Sequence, residues 1–475
     1  MKNTHVILLT FILLFNISCN KWIDIKPEGQ LEEDDMFSIK DGYQESLSGL
    51  YVLMGNPNIY AQQLTLSLLD VFARNYQLYK NSENATFINF ADFDYHTDFA
   101  DKIFTDIWSA QFNVIANCNN LIKYIEKPVS EKVIERGDLY KQLYGETLGL
   151  RAFLHFDLLR MFHPSYKSNK EYKAIPYIKT FDEKVAKSRS QSTEKVLNQI
   201  LYDLKKSYKL LKQVKDKYLN TDEKKFRFNY YAVAGLLARV YMYKGKYENA
   251  IKYAKEVIHF NKFSFVKKGD ILSLKDFTFS SELVFALYMD ESFKEISNGV
   301  FPQKNQKYNS TDYLFCNINE INHLYPDKND VRYKYLFKKN LMIEGVKYCV
   351  LKKYKYGKTD NTGVIPIIKL PEMYLIVAEC LKETNLSEAV SYLRKLQKGR
   401  GVLNLPTITD EKLLQDEISK EYKREFIGEG QLFFYYKRIN KPSIKSYKNN
   451  GTMIKMTDKK YTFPLPKAES KFDLK

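Results

Sequence analysis

The residue whose position carries the most chemistry is Cys19. It ends a leader that opens with one positive charge, Lys2, and continues through the ten-residue apolar run Val6–Phe15 (VILLTFILLF). Such a run has the form of a secretory core and is too short to span a bilayer, which takes about 20 residues. Ile17 and Ser18 precede Cys19 and provide the small residue that a signal peptidase needs. A cysteine at that boundary can carry a thioether-linked diacylglycerol, and each buried methylene of a lipid chain adds roughly 0.8 kcal/mol to membrane anchoring. The acylation consensus has leucine where Asn16 stands, with Phe15 one position early. An ordinary signal peptide with an incidental cysteine is the alternative. The expectation taken forward is a lipoprotein signal peptide over residues 1–18 and lipid attachment at Cys19.

Elsewhere the residues suit holding a ligand better than breaking a bond. Asp92–Asp98 (DFDYHTD) alternates acidic residues with others and could ligate a cation. A calcium EF-hand loop wants Gly at its sixth position and Glu at its twelfth; here Thr97 takes the sixth. A solvated loop or edge strand fits better, and no metal site is expected. There is no G-x-S-x-G, P-loop, H-E-x-x-H or dinucleotide fingerprint. His155 and His163 lie towards a helix end and suit packing. Neither catalytic residues nor a cofactor are expected, and the chain is read as a non-enzyme.

Those residues must be positioned by a large framework. The 475 residues allow an extensive core or two intimately packed subdomains. The other cysteines, Cys118, Cys316, Cys349 and Cys380, lack C-x-x-C spacing, which argues against zinc and against a disulfide scaffold; each reads as a small buried apolar residue. A net charge of +17 would suggest nucleic acid in a cytosolic protein. In an exported one it does not, because the lysines spread over solvated faces such as Lys352–Lys358 (KKYKYGK). What survives is a bias towards an anionic ligand or surface. Aromatic usage is lopsided, 37 Tyr and 31 Phe against 2 Trp. Tyr supplies a flat apolar face with a hydrogen-bonding edge, useful at interfaces and for packing helices alike.

Apolar periodicity predicts mostly helix. Phe37, Tyr43, Leu47, Leu50 and Tyr51 recur at three- and four-residue steps within Leu31–Met54, and Asn56–Pro57–Asn58 breaks that helix. Tyr60–Tyr79 reads as helical at first and then as loop. Asn81–Ala100 has no helical period and reads as a long surface loop with some extended structure, the kind of segment that carries binding residues. Helices follow over Ile103–Ile125, ended by Pro128, then Asp138–Phe162, Thr193–Leu211 and Asn229–Phe260. Within the last, Leu237, Ala238 and Tyr241 lead through Gly245 to Tyr247, Ala250, Ala254 and Val257, the positions of a tetratricopeptide helix–turn–helix unit. A second unit lies at Glu372–Leu396, with its turn around Asn385 and Pro371 in its first turn. Between them, short strands are expected at Leu283–Met289 and Lys347–Tyr354. A helix at Asp410–Glu425, the aromatic cluster Gly428–Arg438 and an extended, proline-bounded YTFPLPKAE close the chain.

In order along the chain, WIDIKPEG (Trp22–Gly29) after Cys19, IWSAQFNVIANCNNLI, GETLGLRAFLHFDLLRMF, the two repeat-like units, EYKREFIGEGQLFFYYKR and FPLPKAE resemble the landmarks of SusD/RagB-like outer-membrane nutrient-binding lipoproteins. The resemblance covers nearly all of residues 19–475. It implies a mostly α fold, a tetratricopeptide-like helix-pair scaffold with an irregular loop-rich second subdomain. It also implies one binding domain over 19–475, with an N-terminal part to about residue 220 and a C-terminal part from about residue 221. The function implied is capture of oligosaccharides, or in some members peptides, at the cell exterior, followed by delivery to a SusC-like TonB-dependent transporter, with the chain lipid-anchored in the outer membrane. An envelope scaffold without a small ligand is a third reading. Sugars offer C–H faces to aromatics and hydroxyls to Asp, Asn and Arg. The residues expected to supply these are Asp70, Arg74, Asn75, Tyr76, Tyr79, Phe93 and Tyr95. The family uses tryptophan in this region and this chain has none there; the alternative is that these aromatics pin the loop to the scaffold. Arg424 with Glu425, and Trp108, match family landmarks and are read as an ion-pairing group and a core residue.

Overall fold

The computed structural model describes residues 33–78, 85–127, 133–181, 190–218, 222–290, 292–301, 314–343, 346–354, 363–448 and 452–470. Cys19, the 22–29 segment, Tyr79 and Pro128 lie outside the described residues.

The first long helix, α1 (Lys40–Met54), buries Tyr43, Leu47, Leu50 and Met54 and stops at Gly55. Two short helices follow, α2 (Leu68–Phe72) and α3 (Ala85–Ala91). Then come α4 (Asp98–Ile125) and α5 (Asp138–Phe162). Thr97 starts α4 by accepting the Ala100 amide at 3.1 Å, satisfying one of the orphan donors of a helix start. Helix α6 (Thr193–Lys212) is capped in the same way by Ser192. From Gln142 to Phe162 every residue of α5 is buried, so the helix is central, enclosed on all sides rather than amphipathic. Its polar residues are paired accordingly. Arg151 donates to Asp203 of α6 at 2.8 Å, Arg227 to Glu146 at 2.9 Å and Tyr60 to Asp157 at 2.8 Å.

Helices α7 (Tyr230–Tyr243) and α8 (Tyr247–Ile258) form the first repeat-like unit. Gly245 turns between them at φ +74° while the Lys246 amide reaches back to the Tyr241 carbonyl at 2.8 Å, a helix stop that favours glycine. The second unit is α11 (Leu370–Leu381) and α12 (Leu386–Gly399), where Asn385 caps α12 through the Glu388 amide. More than a hundred residues separate the units in sequence, yet α8 packs on α11. Arg239 of α7 forks onto both oxygens of Glu372 in α11 at 2.6 Å, and Lys255 of α8 reaches Glu388 of α12 at 2.8 Å.

The intervening chain leaves and returns through one antiparallel ribbon, β1 (Leu283–Tyr288) on β5 (Val364–Lys369). Between these lie β2 (Cys316–Asn317), α9 (Ile318–Leu324), α10 (Val331–Tyr335), β3 (Phe337–Ile343) and β4 (Val346–Leu351), with sheet order β2–β4–β3. Helices α13 (Glu411–Glu425) and α14 (Gln431–Arg438) and a hairpin of β6 (Ser443–Lys445) and β7 (Met453–Lys455) complete the fold. Buried apolar side chains from Phe37 to Phe463 form one contiguous core. The fold is mostly α, a tetratricopeptide-like helix-pair scaffold, and no helix of the described residues is long and apolar enough to cross a membrane.

Two expectations are corrected. Residues 57–66 are turns and the helix α2 comes after them, the reverse of the order read from Tyr60–Tyr79. Asn81–Ala100 is not a long surface loop: α3 and the start of α4 lie within it, and Phe90 and Phe93 are buried. A seven-residue helix is too short to show a period, and tertiary packing supplies its stability. Phe90 meets Phe72 edge-on and Phe93 stacks on it, with ring centroids 5.1 and 5.6 Å away, in a cluster that includes Phe104, Phe433 and Phe463.

Candidate functional site

The structure places the sequence-derived candidates around α2, in the interior. Asp70 is fully buried on α2. Its Oδ1 accepts the Gly428 amide at 2.9 Å and the Asn75 side-chain amide, and its Oδ2 accepts the Gly430 amide at 2.7 Å. The carboxylate thus clamps the turn between α13 and α14, where both glycines take positive φ. At Gly430 a Cβ would stand 1.9 Å from the Leu64 carbonyl oxygen, so no other residue fits without moving the backbone. Burial pushes the Asp70 carboxyl up to about 7, against the pull of those donors. Tyr76 is buried beside this turn, and both its hydroxyl and Asn75 Oδ1 lack a hydrogen-bond partner among the described residues.

On the other side of α2, Arg74 joins three elements. It pairs with Asp92 at 2.8 Å, donates to the Val71 and Ala91 carbonyls at 3.1 and 3.0 Å, and lies over Tyr447 and Phe93 at 4.1 and 5.1 Å from the ring centroids. Tyr95 packs on Phe104 and donates to the Lys460 carbonyl at 2.7 Å. In this conformation Asp70, Asn75 and Tyr76 meet at the glycine turn, and Arg74, Phe93 and Tyr95 at the junction with the terminal hairpin. The acidic stretch is engaged as well. Asp92 accepts the Tyr447 and Lys448 amides at 2.8 and 2.9 Å, and Asp98 pairs with Lys467 at 2.7 Å. Among the described residues no group of His, Cys, Asp and Glu is arranged to hold a metal ion. Both helix-end histidines are buried: His155 Nε2 accepts the Ile178 amide and His163 Nε2 the Ile175 amide. Burial drops each to about 3, leaving neutral rings that brace the connection after α5.

The open ground lies elsewhere. A cleft of about 900 Å³ is formed by the end of α9, the α9–α10 connection, the loop after α12 and one face of α13, a volume in the range of small-ligand sites. Its rim exposes Asn322, His323, Asn404 and Lys420 beside Pro326, Leu403 and Pro406. Its wall is rigid: the Asp327 carboxylate receives the Asn329, Leu403 and Asn404 amides at 2.8, 2.7 and 3.0 Å. Burial opposes ionisation there, yet these amides hold the carboxyl below its ordinary value. Below the cleft lies a buried ion network. Arg424 reaches Glu417 at 2.7 Å and the Leu324 carbonyl at 2.7 Å, while Arg332 reaches Asp330, Glu421 and Glu425 at 2.6, 2.8 and 2.7 Å. The floor is self-satisfied; on the rim Asn322 Oδ1 accepts the Tyr333 hydroxyl at 2.8 Å and Lys420 pairs with Glu417 at 3.2 Å, while both side chains, with His323 and Asn404, stay exposed. Amides, an imidazole and an ammonium read hydroxyls, carbonyls or anionic oxygens, and the prolines and leucine cover apolar faces. Sequence reasoning missed this cleft; the proline- and glycine-punctuated stretch Gly401–Pro406 was the available signal. Arg424 and Glu425 are each ion-paired, the first with Glu421 and the second with Arg400, and Trp108 is buried, as the sequence suggested.

Comparison with known proteins then bears on this arrangement. Residues 21–242 match a family model described as SusD-like, starch-binding and associating with the outer membrane, and residues 278–474 match the SusD family model. No curated protein sequence matches. Among solved structures, a SusD superfamily protein from Bacteroides thetaiotaomicron is 23% identical, with 91% of this chain and 98% of that one covered at a TM-score of 0.74. A SusD-like carbohydrate-binding protein from Bacteroides vulgatus is 16% identical, covering 92% and 96% at 0.74. A laminarin-binding SusD-like protein is 18% identical, covering 91% and 98% at 0.66. At these identities the structural likeness speaks for the fold.

Proposed function

From the premise that this chain belongs to the SusD/RagB family, we propose that it is a non-enzymatic outer-membrane lipoprotein that binds oligosaccharides and passes them to a SusC-like TonB-dependent transporter. The observation that carries this reading is the match of two family models, in succession, over residues 21–242 and 278–474. The names of the similar structures, carbohydrate-binding and laminarin-binding among them, support a glycan as the ligand class. Residues 19–475 act as one binding unit, tethered by a lipid on Cys19 and exposed at the cell exterior. The Asp92–Arg74–Tyr447 junction and the glycine turn keep that unit rigid. The segment bearing Asp70, Arg74, Asn75, Tyr76, Tyr79, Phe93 and Tyr95 contributes to ligand capture through whatever part of it a ligand reaches, and the Asn322–Lys420 cleft offers the accessible hydrogen-bonding groups. Binding needs no acid–base pair, and the buried neutral histidines supply none.

Calorimetry against a glycan panel tests the reading. A His323→Ala/Asn404→Ala double variant is expected to bind the best glycan at least tenfold more weakly, about 1.4 kcal/mol, with unchanged melting. Unchanged affinity removes the cleft from the site, and no binding across the panel removes the glycan. Peptide cargo is the second reading, favoured by a rim of amides, prolines and leucine rather than aromatic faces. Trp108, the one tryptophan among the described residues, is buried. Arrays of short peptides, run beside the glycans, decide between the two. Release of products from a bound glycan by purified protein would overturn the non-enzyme assignment. For the tether, Cys19→Ala is expected to abolish incorporation of radiolabelled lipid, and labelling that persists in the variant defeats it. Protease shaving of whole cells reports the face.

A further inference from the structure

The described cysteines are all buried, and two of them are neighbours. Cys316 in β2 and Cys349 in β4 stand directly opposite each other in an antiparallel ladder. Opposed residues in such a ladder have Cα atoms about 4.5 or 5.5 Å apart, within the roughly 4.4–6.8 Å that a disulfide spans. Cys349 Sγ lies 3.4 Å from the Cys316 carbonyl oxygen. The Cys349 thiol beside it, and then burial, push the Cys316 thiol well up.

The pair stands at a joint. Strand β2 is two residues long, and on its other side the chain bridges to the α2 region, the Gln77 amide donating to the Phe315 carbonyl at 2.7 Å and Asn317 Nδ2 to Gln77 Oε1 at 3.3 Å. So short a strand has few ladder bonds with which to hold this connection. Fixing it to β4 would fix the partner of the very segment that carries Asn75 and Tyr76.

We propose that Cys316 and Cys349 form a cross-strand disulfide that fastens β2, and through it the segment after α2, to the β2–β4–β3 sheet. The proposal rests on the export proposed above, because disulfides persist in oxidising compartments. Chemically, one cysteine thiolate attacks the disulfide of an envelope thiol–disulfide oxidoreductase and expels one of its sulfurs as thiolate. The second thiolate of the pair then displaces the oxidoreductase's remaining sulfur. Cys316 and Cys349 together lose two protons and two electrons, and the oxidoreductase disulfide becomes a dithiol. Since both sulfurs are buried in the folded chain and thiolates are the reactive form, the exchange takes place before β2 docks, and docking then shields the bond from reductants.

The test is a non-reducing tryptic map of the full chain from the envelope fraction, alkylated in denaturant. Peptide 308–328, which holds Cys316, is expected linked to peptide 348–352, which holds Cys349, with the pair lighter by two hydrogens. Both peptides alkylated, or either joined to another cysteine, overturns the proposal. Refolding the purified chain in a glutathione redox buffer scores the pairing without reference to compartment. Free thiols there defeat the pairing even where fractionation supports export, and export is scored by the fractionation itself. Single Cys316→Ala, single Cys349→Ala and the double variant are expected to lower the melting midpoint equally, to the value that reductant gives the parent. Additive losses with no effect of reductant would show two independent buried thiols.

Discussion

Arg400→Leu is expected to destabilise the protein by on the order of 3–5 kcal/mol, the cost of leaving buried charge without its partner. Arg400 is completely buried and forks onto two carboxylates. It donates to Glu425 at 2.6 and 2.9 Å and to Glu282 at 2.6 Å. Removing it leaves Glu282 with the Val266 amide at 2.8 Å and Glu425 with Arg332 and Lys369. Burial alone would raise the Glu425 carboxyl; Arg400 first, and Arg332 after it, reverse that and hold it far below its usual range. Denaturant titration measures the loss, read as a lower midpoint at unchanged slope. A carboxyl lowered in the folded state contributes stability above its unfolded value, and that contribution disappears as pH falls through the folded one. The variant's deficit should therefore shrink on acidification, as the Glu425 carboxylate, without Arg400, takes up its proton. A deficit under 1 kcal/mol at pH 7 would mean that water or Lys369 replaces the guanidinium. The double variant Arg400→Leu/Glu282→Leu should recover part of the loss, because it removes with Arg400 the buried carboxylate that Arg400 forks onto, while Glu425 keeps Arg332 and Lys369.

That network also marks the boundary of what the sequence made legible. Periodic apolar positions and turn residues located the long helices to within a few residues, Asp138–Phe162 included, because helix starts and stops are local chemistry. The repeat-like units were legible for the same reason: alanines at crossings and Gly245 in a turn are local signals. The adjacency of α8 and α11 across the strand-bearing insert was not, since it depends on β1 meeting β5. The short helices α2 and α3 escaped because aromatic packing, not periodicity, fixes them. Their candidates were chosen by chemistry type for an expected binding segment, and Asp70 and Arg74 are engaged with partners remote in sequence, Gly428, Gly430 and Lys445. A buried Asp and an exposed Asp look alike in one sequence. The cleft was missed for a related reason: its lining comes from three separate stretches, and the local signal in Gly401–Pro406 does not say which other stretches meet it.

Asp70 supplies the second large effect, and its sign is opposite to that of Glu425. Burial, then the nearby Glu429 charge, raise its carboxyl from 3.8 to about 7 although Asn75, Gly428 and Gly430 donate to it. A carboxyl raised in the folded state binds its proton more tightly there than in the unfolded chain. Between about pH 4 and 7 the folded state keeps that proton and the unfolded state does not, so this group's contribution is lost as pH rises through the window. Three pH units at 1.36 kcal/mol each make the change on the order of 4 kcal/mol. Asp70→Asn removes the titration. It also turns an amide donor towards one of the glycine amides, a penalty that does not depend on pH. Urea titrations at pH 4.5, 6 and 8 should then show the variant's deficit against the parent shrinking as pH rises. His155 and His163, dropped to about 3 by burial, also change stability within this window, but they do so in parent and variant alike, so the difference between the two proteins reports Asp70. A deficit constant across the three values would mean that Asp70 stays ionised and clamps Gly428–Gly430 as a carboxylate. Glycan affinity of the same variant, measured where it remains folded, separates the two roles assigned to this residue. A clamp that never touches ligand leaves affinity alone, whereas a contact made after the segment rearranges weakens it.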